Sequence, residues 1–150
     1  MDTNRFLMFH RNFDSILKDI KKKEMMYMSE YGLRSVHVGC LLRIKHSEKG
    51  MTVTELAKIS NTDKALISRV IKELTSDGFV ATKTGGEDTS YRKKYYLTEK
   101  SENIVSDIDE DIGSYMAQAR VGISDEDMQK FYEVLNMLTK NISLLAEDED

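Results

Sequence analysis

Thr52-Val-Thr-Glu-Leu-Ala-Lys-Ile-Ser-Asn-Thr-Asp63, continuing Lys64-Ala-Leu-Ile-Ser-Arg-Val-Ile-Lys-Glu-Leu-Thr-Ser-Asp-Gly-Phe-Val80, is the stretch whose reading decides the fold. Thr52 and Glu55 stand at capping-box spacing, in which each side chain satisfies an amide left without an intrahelical partner at a helix start. A short helix, 55–59, follows, then polar 60–63, then a second helix from about Lys64 to Ser76. Leu66, Ile67, Val70, Ile71 and Leu74 recur in that second helix at the spacing of one buried face. Asp77-Gly78 closes it, because glycine accepts the left-handed backbone that ends many helices. Phe79–Lys83 and Tyr91–Leu97 read as two strands joined over Gly85-Gly86. Helix, tight turn, helix and strand pair is the order that a winged helix-turn-helix needs to place one helix in a DNA major groove.

Four features of this stretch resemble the MarR family of bacterial transcription regulators. They are Val53-Thr-Glu-Leu-Ala57, the pair Ser68-Arg69, the helix exit Leu74…Asp77-Gly78-Phe79-Val80, and Leu97-Thr-Glu-Lys100 after the second strand. The resemblance covers nearly the whole chain, since such proteins flank the winged domain with dimer-forming helices. Two departures stand out. The D-x-R wing tip usual in the family has Asp88 and Arg92, four apart, as its nearest match, which implies a longer wing or another approach of the arginine. Ser101 stands where a glycine is usual, and serine suits a helix start.

The 150 residues fit one protomer large enough to bury a core. No apolar run is long enough for a membrane span, and Met1–Arg5 lacks the basic-then-apolar layout of a signal peptide. A cytoplasmic protein without membrane contact is expected. Cys40 is the single cysteine, which excludes an internal disulfide and fits a reducing compartment. Proline is absent where about 5% is usual, and that suits long unbroken helices. The net charge of −4 is unevenly spread: residues 1–100 hold 19 Lys/Arg against 13 Asp/Glu, and residues 101–150 hold 3 against 13. The winged part is therefore modestly cationic, and phosphate contact draws on local rather than global charge.

Outside the winged stretch, Phe6, Phe9, Phe13, Ile16 and Ile20 alternate in steps of three and four, as one stripe of a helix does. Met128, Phe131, Leu135, Leu138, Ile142 and Leu145 form a second stripe behind the capping signature Ser124–Asp127. Ile104, Ile108, Ile112, Tyr115 and Ala119 line a third long helix starting near Thr98. The terminal stripes exceed what a small winged domain can cover, so pairing with a second copy is the economical way to remove them from water. The expected dimer interface is Phe6, Phe9, Phe13, Phe131, Leu135, Leu138 and Ile142. The fold class expected is mainly α with a small antiparallel β-wing: dimerisation helices at about 1–30 and 101–150 around a winged helix-turn-helix at about 34–100.

Catalytic signatures are missing. Gly85-Gly86 joins two strands and feeds no helix that could receive a phosphate, and no nucleophile elbow or H-E-x-x-H occurs. The carboxylates of 107–111 surround Ile108 and Ile112, as on the solvated side of an amphipathic helix. No enzymatic activity and no cofactor are expected. His37 and Cys40, at i and i+3, could both reach one metal ion, but a core thiol beside a hydrogen-bonded imidazole is the plainer reading, and no metal is expected. The resemblance also implies a site for a small aromatic effector where the winged domain meets the dimer helices. In this chain that region draws on Met25, Met26, Met28, Tyr31, Arg34, His37 and Tyr115, where methionines give adaptable apolar walls and the arginine can hold a carboxylate.

The sequence thus points to a sequence-specific DNA-binding regulator, a homodimeric repressor released by a small molecule. Its partner is double-stranded DNA carrying an imperfect palindrome. Asn61, Thr62, Lys64 and Ser68, near the start of the second helix, are expected at base edges. Thr54, Arg69 and Lys72 are better placed for phosphates. Counting back from inward Leu97 puts Arg92 and Lys94 on the outer side of the second strand, with Lys83 supporting from the first. The alternative is a winged-helix protein-interaction module without DNA binding, its acidic last third meeting a basic partner.

Overall fold

The computed structural model describes residues 2–83 and 92–147, and the elements follow the sequence signals closely. Helix α1 spans Thr3–Tyr31, α2 Ser35–Lys45, α3 Val53–Ile59 and α4 Lys64–Ser76. Strands β1 (Val80–Thr82) and β2 (Tyr95–Leu97) come next, then α5 (Glu99–Ala119) and α6 (Asp125–Glu147). The chain divides into two compact units, Met1–Glu110 and Asp111–Asp150, with α5 running across the division.

Helix boundaries are set by the caps the sequence offers. At α3 the box closes in both directions: Glu55 N–H donates to Thr52 Oγ1 (3.1 Å), and Thr52 N–H donates to Glu55 Oε2 (2.8 Å). Asp63 caps α4 by accepting from Leu66 N–H at 3.2 Å. The exit of α4 is a Schellman closure: Gly78 has φ +78, Phe79 N–H bonds Leu74 O (2.8 Å), and Gly78 N–H bonds Thr75 O (3.1 Å). Ser124 opens α6 with its Oγ accepting from Asp127 N–H at 3.1 Å.

The core of the first unit is built on α4, whose Ile67, Val70, Ile71 and Leu74 are almost wholly enclosed. Leu33, Cys40, Leu41, Leu56, Val80 and Val105 complete it. The sheet is antiparallel, with Val80 opposite Leu97, Ala81 opposite Tyr96 and Thr82 opposite Tyr95. Met51 adds a bridge to the free edge of β2, exchanging two backbone bonds with Tyr95 at 2.8 and 3.1 Å. Ser101, which stands in place of the expected glycine, is fully buried, and its hydroxyl donates to Phe79 O at 2.6 Å. That bond ties the first turn of α5 to the chain leaving α4.

The strands are shorter than the sequence suggests. Phe79 and Lys83 flank β1 rather than belonging to it, and among the described residues β2 begins only at Tyr95. Arg92, Lys93 and Lys94 precede the ladder, so the alternation counted back from Leu97 does not extend to Arg92 and Lys94. Only the three residues with a partner across β1 have extended pairing to fix their faces. Gly85-Gly86, Asp88 and Tyr91 lie outside the described residues.

In the second unit α6 buries none of its residues. Phe131, Leu138 and Ile142 remain 49, 39 and 53% exposed, and Leu135 is half-buried. In the first unit Phe6 is exposed, while the half-buried rings of Phe9 and Phe13 stack with centroids 4.5 Å apart. Within one protomer these stripes stay largely open to water. Among the described residues no helix is long and apolar enough to cross a membrane.

Candidate nucleic-acid interface

Burying Ile67, Val70, Ile71 and Leu74 fixes which side of α4 remains outside. Lys64, Ser68 and Lys72, spaced by four, form one row on it: both lysines are exposed and Ser68 is half-buried. Arg69, also exposed, belongs to the adjacent row that continues to Glu73. Ahead of α4 the turn is tight. Asn61 adopts φ +47, a left-handed conformation asparagine tolerates, and Thr62 N–H bonds Ala57 O at 3.0 Å. The Thr62 hydroxyl donates to Ser60 O at 3.0 Å, which leaves its lone pairs for an incoming donor. Asn61 is exposed beside it, and Thr54 is exposed in the first turn of α3.

Three acids lie between Thr52 and Ser76, and each is engaged structurally. Glu55 is held by the backbone N–H of Thr52, which lowers its carboxyl below the ordinary range. Asp63 caps α4. Glu73 is held by His37 and Arg34, and its carboxyl is likewise lowered, the hydrogen bond from His37 contributing most. The same stretch holds four cations, Lys58, Lys64, Arg69 and Lys72, and the structural engagement of the three acids limits how far they neutralise them.

The wing base supplies further cations. Lys83 is exposed, and its Nζ lies 4.2 Å from the centroid of the Tyr96 ring. Tyr96 in turn donates its hydroxyl to Lys49 O at 2.9 Å, which fastens the turn before Met51 to β2. Lys94 is half-buried and contributes, with Lys49, Met51, Glu55, Lys58 and Ile59, to an open cleft of about 590 Å³. Its closeness to Glu55 puts it beside α3 rather than on a strand face. Arg92 is exposed.

The residues expected to hold an effector are divided between the two units. Met25 and Met28 are 70 and 51% exposed, Tyr31 is half-buried, and Tyr115 is on the part of α5 in the second unit. Arg34 and His37 do come together, around Glu73, which no local sequence pattern links to them. Arg34 Nη2 donates to Glu73 Oε2 at 2.5 Å, and His37 Nε2 lies 2.7 Å from the same oxygen. Arg34 N–H donates to His37 Nδ1 at 3.1 Å, so the imidazole is occupied on both nitrogens. Cys40 is buried, and burial pushes its thiol up to about 11. The Cys40 thiol is thus neutral, and both nitrogens of the His37 imidazole, one helical turn away, are engaged.

Comparison with known proteins places these features in context. The sequence profile described as the MarR family matches residues 31–89. The HTH-type transcriptional regulator SarZ of Staphylococcus epidermidis is 28% identical over 134 residues, spanning 87% of this chain and 86% of that protein. Among solved structures, the MarR/EmrR family regulator from Acinetobacter sp. ADP1 has a TM-score of 0.76 at 16% identity, covering 96% of this chain and 99% of its own. Staphylococcus aureus MarR in complex with salicylate and kanamycin has a TM-score of 0.69 at 18% identity, covering 91% of each.

Proposed function

The chain belongs to the MarR family of transcription regulators, and from that premise we propose that it is a homodimeric, sequence-specific DNA-binding repressor that a small aromatic ligand releases. The observation that carries the DNA reading is the outer row Lys64, Ser68, Lys72 on α4, preceded in the chain by exposed Asn61. In this reading Asn61, Thr62, Lys64 and Ser68 meet base edges, while Thr54, Arg69, Lys72, Lys83, Arg92 and Lys94 meet phosphates. A second copy covers the stripe Phe6, Phe9, Phe13 of α1 and the stripe Phe131, Leu135, Leu138, Ile142 of α6. The protein works in the cytoplasm and performs no catalysis.

Two recognition helices related by a two-fold axis meet successive major-groove faces. The operator is then an imperfect palindrome with half-site centres roughly 10 base pairs, about 34 Å, apart. Salicylate in the S. aureus relative supports an aromatic acid as the releasing ligand. Such a ligand acts only through its difference in affinity between DNA-competent and released states, typically about 1–3 kcal/mol of coupling.

A gel shift and footprint with the DNA upstream of the protein's own gene tests the proposal. The expected result is salt-sensitive protection of two half-sites one helical turn apart. Absence of any sequence-dependent shift, together with capture of a basic protein partner by the acidic last third, would transfer the reading to an interaction module.

A further inference from the structure

The end of α2, the turn after it and the outer face of α3 frame a surface that involves none of the apolar stripes of α1 and α6. Two open clefts, of about 590 and 570 Å³, meet there and share Ser47, Met51 and Ile59. Leu42 and Met51 are half-buried, and Ile59 is 60% exposed although it ends a helix whose Leu56 and Ala57 lie in the core. Cations surround this apolar floor: Lys49 and Lys58 line the first cleft, and Arg43 lines the second. Among the described residues none of these three forms an ion pair. Arg43 is braced in place, since its Nη1 donates to Gly39 O at 2.9 Å. Glu55 is the one acid lining either cleft, and it is committed to Thr52 N–H with Lys94 beside it.

The backbone along this surface is already paired. Gly50 N–H donates to Ser47 O (3.3 Å), Met51 N–H to Tyr95 O (3.1 Å) and Thr52 N–H to Glu55 Oε2 (2.8 Å). An added strand finds no free donor along 50–52, so recognition falls to side chains. Cations without a carboxylate partner call for an anionic occupant, and exposed Ile59 beside Met51 and Leu42 calls for one with an apolar anchor. A nucleic-acid backbone meets the first demand and not the second. Clefts this open do not enclose a small molecule as ligand pockets do. We infer that the double cleft docks a short acidic segment of another protein. A bulky apolar side chain of that segment rests on Ile59, Met51 and Leu42, with carboxylates on either side at Arg43 and at Lys49 and Lys58. The α4 row Lys64, Ser68, Lys72 lines neither cleft, so this regulator carries a protein-docking face as well as its proposed DNA-reading one.

The probe is a fluorescein-labelled peptide, Glu-Asp-Leu-Phe-Asp-Glu, followed by anisotropy as the full-length protein is added without DNA. Saturable binding is expected. Ile59→Ser should weaken it about tenfold, the loss expected when one aliphatic side chain no longer contributes its buried surface. Lys58→Glu, which reverses a charge at the rim, should weaken it by about as much or more. Lys18→Glu makes the same charge change on the exposed side of α1 and should leave the affinity unchanged. The peptides Glu-Asp-Ser-Ser-Asp-Glu and Gln-Asn-Leu-Phe-Asn-Gln, lacking the anchor and the charge in turn, should each bind far more weakly. Ile59→Ala serves if the serine variant is unstable, and should weaken binding in the same direction. Equal weakening in Lys58→Glu and Lys18→Glu would reduce the effect to general charge and overturn the docking site. So would retained affinity in Ile59→Ser, equal binding of the uncharged peptide, or no saturable binding by the unaltered protein. Loss of random-sequence duplex binding in Ile59→Ser, equal to its loss of peptide binding, would give the face to DNA instead. Self-association beyond a dimer that Ile59→Ser abolishes would give it to a second copy of the chain.

Discussion

Lys72 and Ser68 sit one helical turn apart on the outer row of α4, and under the proposed function their chemistry separates anchoring from reading. An ammonium on a flexible stem neutralises a phosphate whatever the base beside it, whereas a short half-buried hydroxyl reaches only an edge presented at a fixed place. Lys72→Ala should weaken all DNA sequences alike and flatten the dependence of log affinity on log salt by about one unit. Ser68→Ala should instead change the preferred base at one position of each half-site. Uniform loss in both, measured by binding to a library of operator variants, would erase the division. Cys40 offers a contrasting case, since its thiol is buried and pushed up to about 11 from an ordinary 9.0. At neutral pH its thiolate fraction is then about a hundredfold below that of a free thiol, so native protein should react with a thiol reagent at least that much more slowly than unfolded protein. Because the folded value exceeds the unfolded one, this group stabilises the fold fully below about pH 9 and loses that contribution as pH rises towards about 11. Rapid native labelling at pH 7.5 would contradict this account of Cys40.

The elements of the winged unit are joined by a few polar bonds at their ends, and two of these can be broken singly. Ser101 is fully buried, donates to Phe79 O at 2.6 Å and accepts from Thr98 N–H at 3.1 Å. Ser101→Ala removes both of those bonds while Thr98 N–H keeps its bond to Phe79 O at 3.1 Å, and should lower unfolding free energy by about 0.5–1.5 kcal/mol per bond lost. Gly50 is buried at φ +66, and an added Cβ would stand 2.7 Å from the Tyr96 ring and 2.9 Å from Tyr95 O. Gly50→Ala should therefore destabilise by a similar amount, about 1–3 kcal/mol, and loosen the Met51–Tyr95 bridge as well. Denaturant midpoints for both variants, with the slope unchanged, check this; neutral values would mean the bonds are replaced by water. What the sequence made legible follows the same division. Helix starts at Thr52 and Ser124 and the exit at Gly78 are readable because a cap is a local pattern of three or four residues. The strand limits are not, because pairing with β1 and with Met51 depends on partners far along the chain. Glu73 escaped notice for the same reason: nothing around it announces Arg34 and His37, and on a helical wheel it is one more solvated acid. The structural duty of Ser101 was half-visible, since a serine at a helix start is ordinary but its bond to Phe79 O is not local.

At the scale of the whole molecule, the question is what removes the apolar stripes from water. No residue of α6 is buried, and Phe131, Leu138, Ile142 and Leu145 are 39 to 65% exposed along one 23-residue helix. Phe6, Ile16 and Leu17 of α1 are between 52 and 55% exposed. Contiguous apolar surface on that scale marks an association site, and for a single chain a two-fold partner is the simplest that closes. Leu138→Asp tests this because it distinguishes the dimer from the protomer. Leu138 is not in the core, so the variant should keep its helical content and the cooperative unfolding of the winged unit. In the proposed interface, each protomer instead places an unpaired carboxylate where water is excluded. If that destabilises the pair by about 4 kcal/mol, the dimer dissociation constant rises about a thousandfold. Acidic residues already outnumber basic ones by 13 to 3 in residues 101–150, so the added carboxylate finds few cations to offset it. Sedimentation should show monomer at micromolar concentration, and operator affinity should fall in parallel, since a single recognition helix covers only one half-site. Lys130→Gln, which makes the net charge more negative by the same one unit on the exposed polar side of α6, should leave both properties nearly intact. A Leu138→Asp protein that stays dimeric and keeps its operator would place the interface elsewhere. One that becomes monomeric yet binds the full operator undiminished would detach DNA recognition from dimerisation altogether.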